Sequence, residues 1–110
     1  MILENYKLYI VTRSDLKPGQ QLSQATHAAI DFILEYPELS KQWREVSNHI
    51  CILSVNNEEE LNKLIIRAET YKVRFKVFKE PDYDFALTAI AFEPGIPSLK
   101  VCSGIKLALK

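Results

Sequence analysis

The 110-residue chain lacks the short motifs that identify many catalytic and binding sites. Its three glycines form no phosphate-binding loop, nucleophile elbow or dinucleotide-binding pattern. It also contains no HExxH motif for a metal ion. An excess of charge is missing too, since 14 basic residues balance 14 acidic ones. A protein that binds nucleic acid through bulk charge should be distinctly basic, so any contact with a polyanion must come from a local patch.

Cysteines and long apolar runs are also scarce. Cys51 and Cys102 lie in apolar surroundings without CxxC spacing, so we expect buried thiols in a reducing cytosol rather than a disulfide or a metal site. No segment approaches the roughly 18 consecutive apolar residues of a membrane span. Residues 1–5 lack the basic segment of a secretion signal. We therefore expect a cytoplasmic protein with no membrane partner and a single domain over residues 1–110.

The remaining pattern alternates strands with helices. Strands are predicted from β-branched, aromatic and alternating residues at 6–12, 50–55, 73–79, 85–92 and 105–109. Helices are predicted at 20–36, 38–46, 58–68 and 98–103. A right-handed crossover after the first strand implies a parallel pair, and the turn near residue 82 implies an antiparallel pair. The expected fold class is α/β, a mixed β-sheet flanked by helices on both faces (an α/β/α sandwich).

Two polar turns follow predicted strands and are candidates for a site. The first turn offers Arg13, Lys17 and the open amides of a helix start, which suit a phosphate or carboxylate. The second turn offers three carboxylates, Glu80, Asp82 and Asp84. Ligands of open α/β sheets gather beyond the carboxyl ends of the strands. If both strands run the same way, these turns meet at one edge, where a cation could hold a phosphodiester while a carboxylate orients a water.

Each candidate also has a purely structural interpretation. A Pro-Gly turn before a helix is usually only a turn, and the carboxylates of residues 80–84 could form a solvated loop. His27, beside two alanines, is more often a hydrogen-bonded structural residue than a catalyst. Thr88, inside an apolar strand, could be a satisfied core hydroxyl. These patterns alone predict a small α/β domain with a candidate polar edge.

Several segments form an ordered set that spans nearly the whole chain. An apolar strand precedes Arg-Ser-Asp-Leu-Lys at residues 13–17, and Gln-Ala-Thr-His-Ala follows at residues 24–28. Later segments are Gln-Trp at 42–43, Glu-Glu-Glu-Leu at 58–61, Leu-Thr-Ala-Ile-Ala at 87–91 and Gly-Ile-Lys-Leu at 104–107. In this order they resemble the type-2 peptidyl-tRNA hydrolases. No single motif is diagnostic, but the ordered set is fairly specific.

The resemblance implies hydrolysis of the ester between a peptidyl group and the 3′ end of tRNA, with tRNA as the partner and no metal or organic cofactor. Positions that match the opening motif, and are expected to bind substrate, are Arg13, Asp15, Lys17, Gln24 and His27. The expected catalytic residues are Gln20, Glu80, Asp82 and Thr88. Glu80 falls where the family has an aspartate, and Thr88 matches its active-site threonine. Counting back from His27, the family's active-site lysine falls on Gln20.

The exchange of that lysine for Gln20 keeps other functions open. A glutamine can donate a hydrogen bond but supplies no charge at an oxyanion or phosphate. One alternative is therefore a non-catalytic domain that binds RNA or a protein on the same scaffold. Another is a homo-oligomeric hydrolase of small esters unrelated to tRNA, and a homodimer stays open as an assembly.

Overall fold

The computed structural model describes residues 6–110, and the expectation about a secretion signal falls on residues outside that range. The strands are β1 (Lys7–Arg13), β2 (His49–Val55), β3 (Phe75–Glu80), β4 (Ala86–Phe92) and β5 (Lys106–Leu107). The helices are α1 (Pro18–Glu35), α2 (Pro37–Val46), α3 (Glu58–Thr70) and α4 (Ile96–Val101), with a 3₁₀ turn at Pro81–Tyr83. The predicted order of strands and helices is confirmed, although β5 is shorter than predicted.

Prolines explain why three helices begin earlier than predicted. Pro18 and Pro37 are the first residues of α1 and α2, and Pro97 is the second residue of α4. Proline has a helical φ and lacks only an N–H that the first turn leaves unpaired in any case. It therefore starts these helices rather than preceding them. In α3, the side chain of Asn57 caps the helix by accepting the Glu60 N–H at 3.0 Å.

The sheet is mixed, with the strand order β3-β4-β1-β2-β5. β1 is parallel to β2, whereas β4 is antiparallel to both β1 and β3, and β5 is antiparallel to β2. Because β4 opposes both of its neighbours, β1 and β3 run in the same direction. The two polar turns that follow them therefore lie at the same edge of the sheet.

Helices cover both faces of this sheet, as an α/β/α sandwich requires. Leu8 and Ile10 of β1 pack with Phe32 of α1 and Trp43 of α2 on one face. On the other face, alternate residues of the same strand pack with the buried side of α3 and with α4. The alternation follows from the two-residue period of a strand. The predicted fold class is confirmed.

The buried face of α1 differs from its apolar pattern. The pattern predicts Leu22 and Ile33 on the inner face and Gln24 on the polar one. In the structure Leu22 and Ile33 are exposed, whereas Gln24 is 2% exposed. Small residues, Ala25 and Ala28, face the sheet beside Gln24 and allow close packing. Burial of Gln24 is tolerated because its amide finds hydrogen-bond partners in the sheet.

Both thiols of the chain are free. Cys102 is buried and Cys51 is half-buried, and neither forms a disulfide. Burial raises the pKa of the Cys102 thiol to about 12, with Cys51 as a second cause. Between residues 6 and 110, no three His, Cys, Asp or Glu side chains are grouped so that they could hold a metal ion. No helix in the same range is long and apolar enough to span a membrane.

Candidate functional site

A cleft of about 530 Å³ opens at the sheet edge where β1 and β3 end. Its lining residues are Lys17, Gly19, Gln20, Ser23, Gln24, His27, Glu80 and Tyr83. Those from the helix recur at steps of three or four, so they share one face of the first turns of α1. Glu80 and Tyr83 come from the end of β3 and the 3₁₀ turn after it. The cleft therefore joins the two polar turns that the sequence predicts.

A chain of hydrogen bonds leads from the core to the wall of the cleft. The buried Thr88 hydroxyl donates to Gln24 Oε1 at 2.5 Å, and Gln24 Nε2 donates to Glu80 Oε1 at 2.9 Å. The Asp82 backbone N–H donates to the other Glu80 oxygen at 3.2 Å. A carboxylate can only accept, so it fixes which end of the Gln24 amide points toward it. Thr88 and Glu80 together hold Gln24 in one orientation.

These donors also set the charge of Glu80. The hydrogen bond from Gln24 lowers the pKa of this carboxyl group from its ordinary value of 4.5, and the Asp82 N–H and nearby His27 lower it further. Glu80 is therefore a carboxylate at neutral pH. Its interactions stabilise the fold fully above pH 4.5, and that stabilisation is lost as the pH falls through the lowered pKa. A lowered pKa also makes Glu80 a weaker base, better suited to orienting a water than to removing its proton.

A β-bulge points Thr88 toward Gln24. Phe78 of β3 pairs with Ala89 of β4, but the next residue, Lys79, pairs with Leu87. Thr88 therefore has no paired residue in β3, although its hydroxyl also lies 3.3 Å from the Phe78 carbonyl. Without this extra residue, strict alternation from Ile90 would turn Thr88 toward α3. A bulge is a known means of re-aiming a side chain beside a functional site.

Side chains from neighbouring elements bind the backbone around the bulge. The Thr12 hydroxyl donates to the Thr88 carbonyl at 3.0 Å, and Arg13 Nη1 donates to the Leu87 carbonyl at 3.0 Å. The Leu87 N–H donates to the Glu58 carboxylate at 2.8 Å. These three bonds satisfy backbone groups of β4 that lie beyond its last pair with β1, Thr12 with Ala89. They hold the first part of β4 in place.

Arg13 and Asp15 bind each other beside this backbone. Arg13 Nε and Nη2 donate to the two Asp15 oxygens, each at 2.9 Å. This hydrogen-bonded pair raises the pKa of Arg13 and lowers that of Asp15. With a third hydrogen bond, to the Leu87 carbonyl, the guanidinium binds groups of the protein itself through three of its nitrogens. Arg13 and Asp15 are thus placed to brace the turn, and neither side chain lines the cleft.

The start of α1 brings hydrogen-bond donors to the other end of the cleft. The Lys17 N–H donates to Gln20 Oε1 at 3.0 Å, which leaves the Nε2 group of Gln20 as its donor. The N–H groups of Gly19 and Gln20 lie in the first turn, where a helix has no internal acceptor for them. The exposed Lys17 adds a positive charge beside them.

The predicted site residues thus occupy four different places, and the Arg13–Asp15 pair beside β4 is one of them. The cleft lining contains Lys17, Gln20, Gln24, His27 and Glu80. Thr88 is fully buried beneath Gln24, and Asp82 is exposed in the 3₁₀ turn outside the lining, with only its N–H bound to Glu80.

Other residues of the site were not predicted from the sequence. Ser23 and Tyr83 line the cleft, and Thr12 and Glu58 bind the bulged backbone. Ser23 could have been found from its helical spacing, three residues after Gln20 and four before His27. No local signal in the sequence connects Thr12 or Glu58 with β4.

The fold and the cleft define an α/β/α protein with a preformed polar site of amides, a carboxylate and a lysine. A sequence model of the family peptidyl-tRNA hydrolase PTH2 matches residues 6–103. Since this match covers most of the chain, the protein belongs to that family, and the resemblance found in its sequence is confirmed.

A solved structure shares the fold. It is a protein of unknown function, Atu0240, from Agrobacterium tumefaciens strain C58, with a TM-score of 0.70 and 14% identity. The similarity covers 92% of this chain and 96% of that one. At this level of identity it supports the fold alone. No curated protein sequence matches the chain.

Proposed function

We propose that this protein hydrolyses the ester that joins a peptidyl group to the 3′ end of tRNA. The observation that carries the proposal is the carboxylate of Glu80, held by Gln24 and the Asp82 N–H in the wall of an open cleft. The family gives the class of substrate. Because a tRNA substrate is found in the cytoplasm, the proposal includes that location.

The cleft offers the two functions that ester hydrolysis by water requires. Glu80 accepts a hydrogen bond from the attacking water and orients it. Gln20 Nε2 and the open amides of the helix start donate to the oxygen that becomes negative in the transition state. Thr88 positions Glu80 through Gln24 and does not touch the substrate itself. We prefer Glu80 to Asp82 because only Glu80 lines the cleft.

Lys17 takes the role of the local positive charge. The guanidinium of Arg13 is bound to Asp15 and Leu87, whereas Lys17 is exposed on the lining of the cleft. Lys17 lies one helical turn before Gln20. The active-site lysine of the family falls on the Gln20 position. An ammonium group here can bind a phosphate of the acceptor end as a point charge. Lys17 thus supplies near Gln20 the charge that glutamine lacks.

Turnover of an N-blocked aminoacyl-tRNA tests the proposal directly. We expect the wild-type protein to release free tRNA faster than the uncatalysed reaction, without added metal or cofactor. The measurement is acid-precipitable ester remaining against time, with an active family member as the positive control. No hydrolysis above background, at protein concentrations where the control reacts completely, would refute the proposed activity.

Gln20 favours a second candidate, a non-catalytic domain that binds RNA or a protein. If Lys17 already supplies the cation, Gln20→Lys should change hydrolysis by less than about tenfold, the factor that 1.4 kcal/mol represents. The same change should rescue a Lys17→Gln variant, because it returns one positive charge to the cleft. The initial rates of the four proteins are compared. An inert wild type that becomes active only with Gln20→Lys would establish the second candidate instead.

A further inference from the structure

His27 presents one side of an aromatic pair to the cleft. Its imidazole ring stacks on the Phe78 ring, with centroids 4.5 Å apart and planes at 14° to each other. Phe78 is half-buried and packs against the core on the α1 face of the sheet. His27 itself is exposed and lines the cleft. Because Phe78 covers one face of the imidazole, the face open to a ligand is the opposite one.

A flat ring backed by a second ring is a suitable surface for a nucleobase. Proteins that bind single-stranded RNA stack unpaired bases on aromatic side chains, histidine included. Such stacking needs no particular hydrogen-bond pattern, since every base has a π-face. The packing of Phe78 also limits the motion of His27, so less freedom is lost when a base binds.

The position of His27 fits a base whose ribose carries the reacting ester. Gln24 precedes His27 by three residues, about 4.5 Å along the helix axis. Gln24 Nε2 binds Glu80, so the carboxylate lies beside the same part of the cleft. A base stacked on His27 would therefore place its ribose next to Gln24 and Glu80. The ester on that ribose then lies within reach of the water that Glu80 orients.

We propose that His27, supported by Phe78, is the stacking site for the terminal base of the RNA acceptor end. In this role His27 positions the substrate and transfers no proton. The position of the ester rests on the proposed hydrolysis, but binding of the base can be measured without any reaction.

The probe is adenosine 5′-monophosphate, titrated into the full chain; binding is followed in every variant through the adenine proton resonances of the nucleotide and, in wild type, also through the ring proton resonances of His27. We expect upfield shifts from the ring current of adenine. His27→Ala should weaken binding roughly tenfold or more, as loss of a base-stacking side chain does. His27→Phe should bind within about threefold of wild type because it keeps the stacking surface. His49→Ala is the matched control, since the exposed His49 begins β2 at the opposite end of the sheet.

Three results would overturn the inference. They are no binding of the nucleotide to wild type, unchanged affinity in His27→Ala, and a loss in His27→Phe as large as in His27→Ala. In hydrolysis, His27→Ala should raise KM, and His27→Phe should reverse most of that rise; a collapse of kcat in His27→Phe would mean that the imidazole transfers a proton. If nucleotide binding follows the stacking surface but no variant hydrolyses an ester, the base site stands and the proposed activity fails.

Discussion

Glu80→Gln is expected to lower the hydrolysis of peptidyl-tRNA by about 10²- to 10⁴-fold, the usual contribution of a positioned acid or base. The amide has nearly the same size, but it has no negative charge and offers one acceptor oxygen instead of two. The single amide oxygen cannot accept hydrogen bonds from both the Gln24 amide and the Asp82 N–H and still orient a water. Since Glu80 lies half-buried at the end of β3, the variant should keep the fold. Single-turnover rates and the circular dichroism spectrum measure the two effects.

Two control variants in the same turn test whether the loss of activity in Glu80→Gln comes from the Glu80 carboxylate itself or from the loss of any negative charge. Asp84→Asn removes one negative charge at a residue with φ 53°, a conformation that asparagine also adopts readily. Asp82→Asn keeps the backbone N–H that binds Glu80. Both variants should retain activity within about tenfold of wild type, a difference of 1.4 kcal/mol. A loss in Asp82→Asn as large as in Glu80→Gln would assign the water to Asp82 instead.

The edge where the cleft lies could be predicted from the sequence because local patterns determine it. Pro18 and Gly19 mark the turn after β1, and a separate acidic turn marks the end of β3. A right-handed crossover and one hairpin set the direction of the strands within each pair, and the two turns share an edge because β4 is antiparallel to both β1 and β3 in the structure. The identities of Glu80, Gln20 and His27 as lining residues followed from that placement and from the family resemblance.

The depth of each residue in the site could not be predicted in the same way. Periodicity assigns Gln24 to a polar, exposed face, because a periodic pattern carries no information about hydrogen-bond partners in the sheet. Only the tertiary contact with Thr88 and Glu80 makes its burial favourable. The bulge could not be predicted from the sequence either, because it depends on how β4 aligns with β3 rather than on either strand alone.

Thr88→Val is expected to reduce both the stability and the activity of the protein. Valine has nearly the shape of threonine, so packing around the bulge should persist. The Oε1 atom of Gln24 would lose the donor that it has at 2.5 Å while the residue stays buried. An unsatisfied buried acceptor costs about 1–3 kcal/mol, which denaturant unfolding would measure. A Gln24 amide that turns to find another partner would release Glu80, and a misplacement of about 1 Å can lower the rate about 100-fold.

A second buried hydroxyl distinguishes this positioning role from a general loss of stability. Ser98 is also fully buried, and its hydroxyl donates to the Glu93 carbonyl beyond the other end of β4. Ser98→Ala should therefore destabilise the fold without changing the rate of hydrolysis at temperatures where it is folded. Thr88→Ser, which keeps the hydroxyl, should recover most of the activity that Thr88→Val loses. If Thr88→Val kept the wild-type rate despite its lower stability, Thr88 would support the fold alone, and Gln24 would hold Glu80 without the help of Thr88.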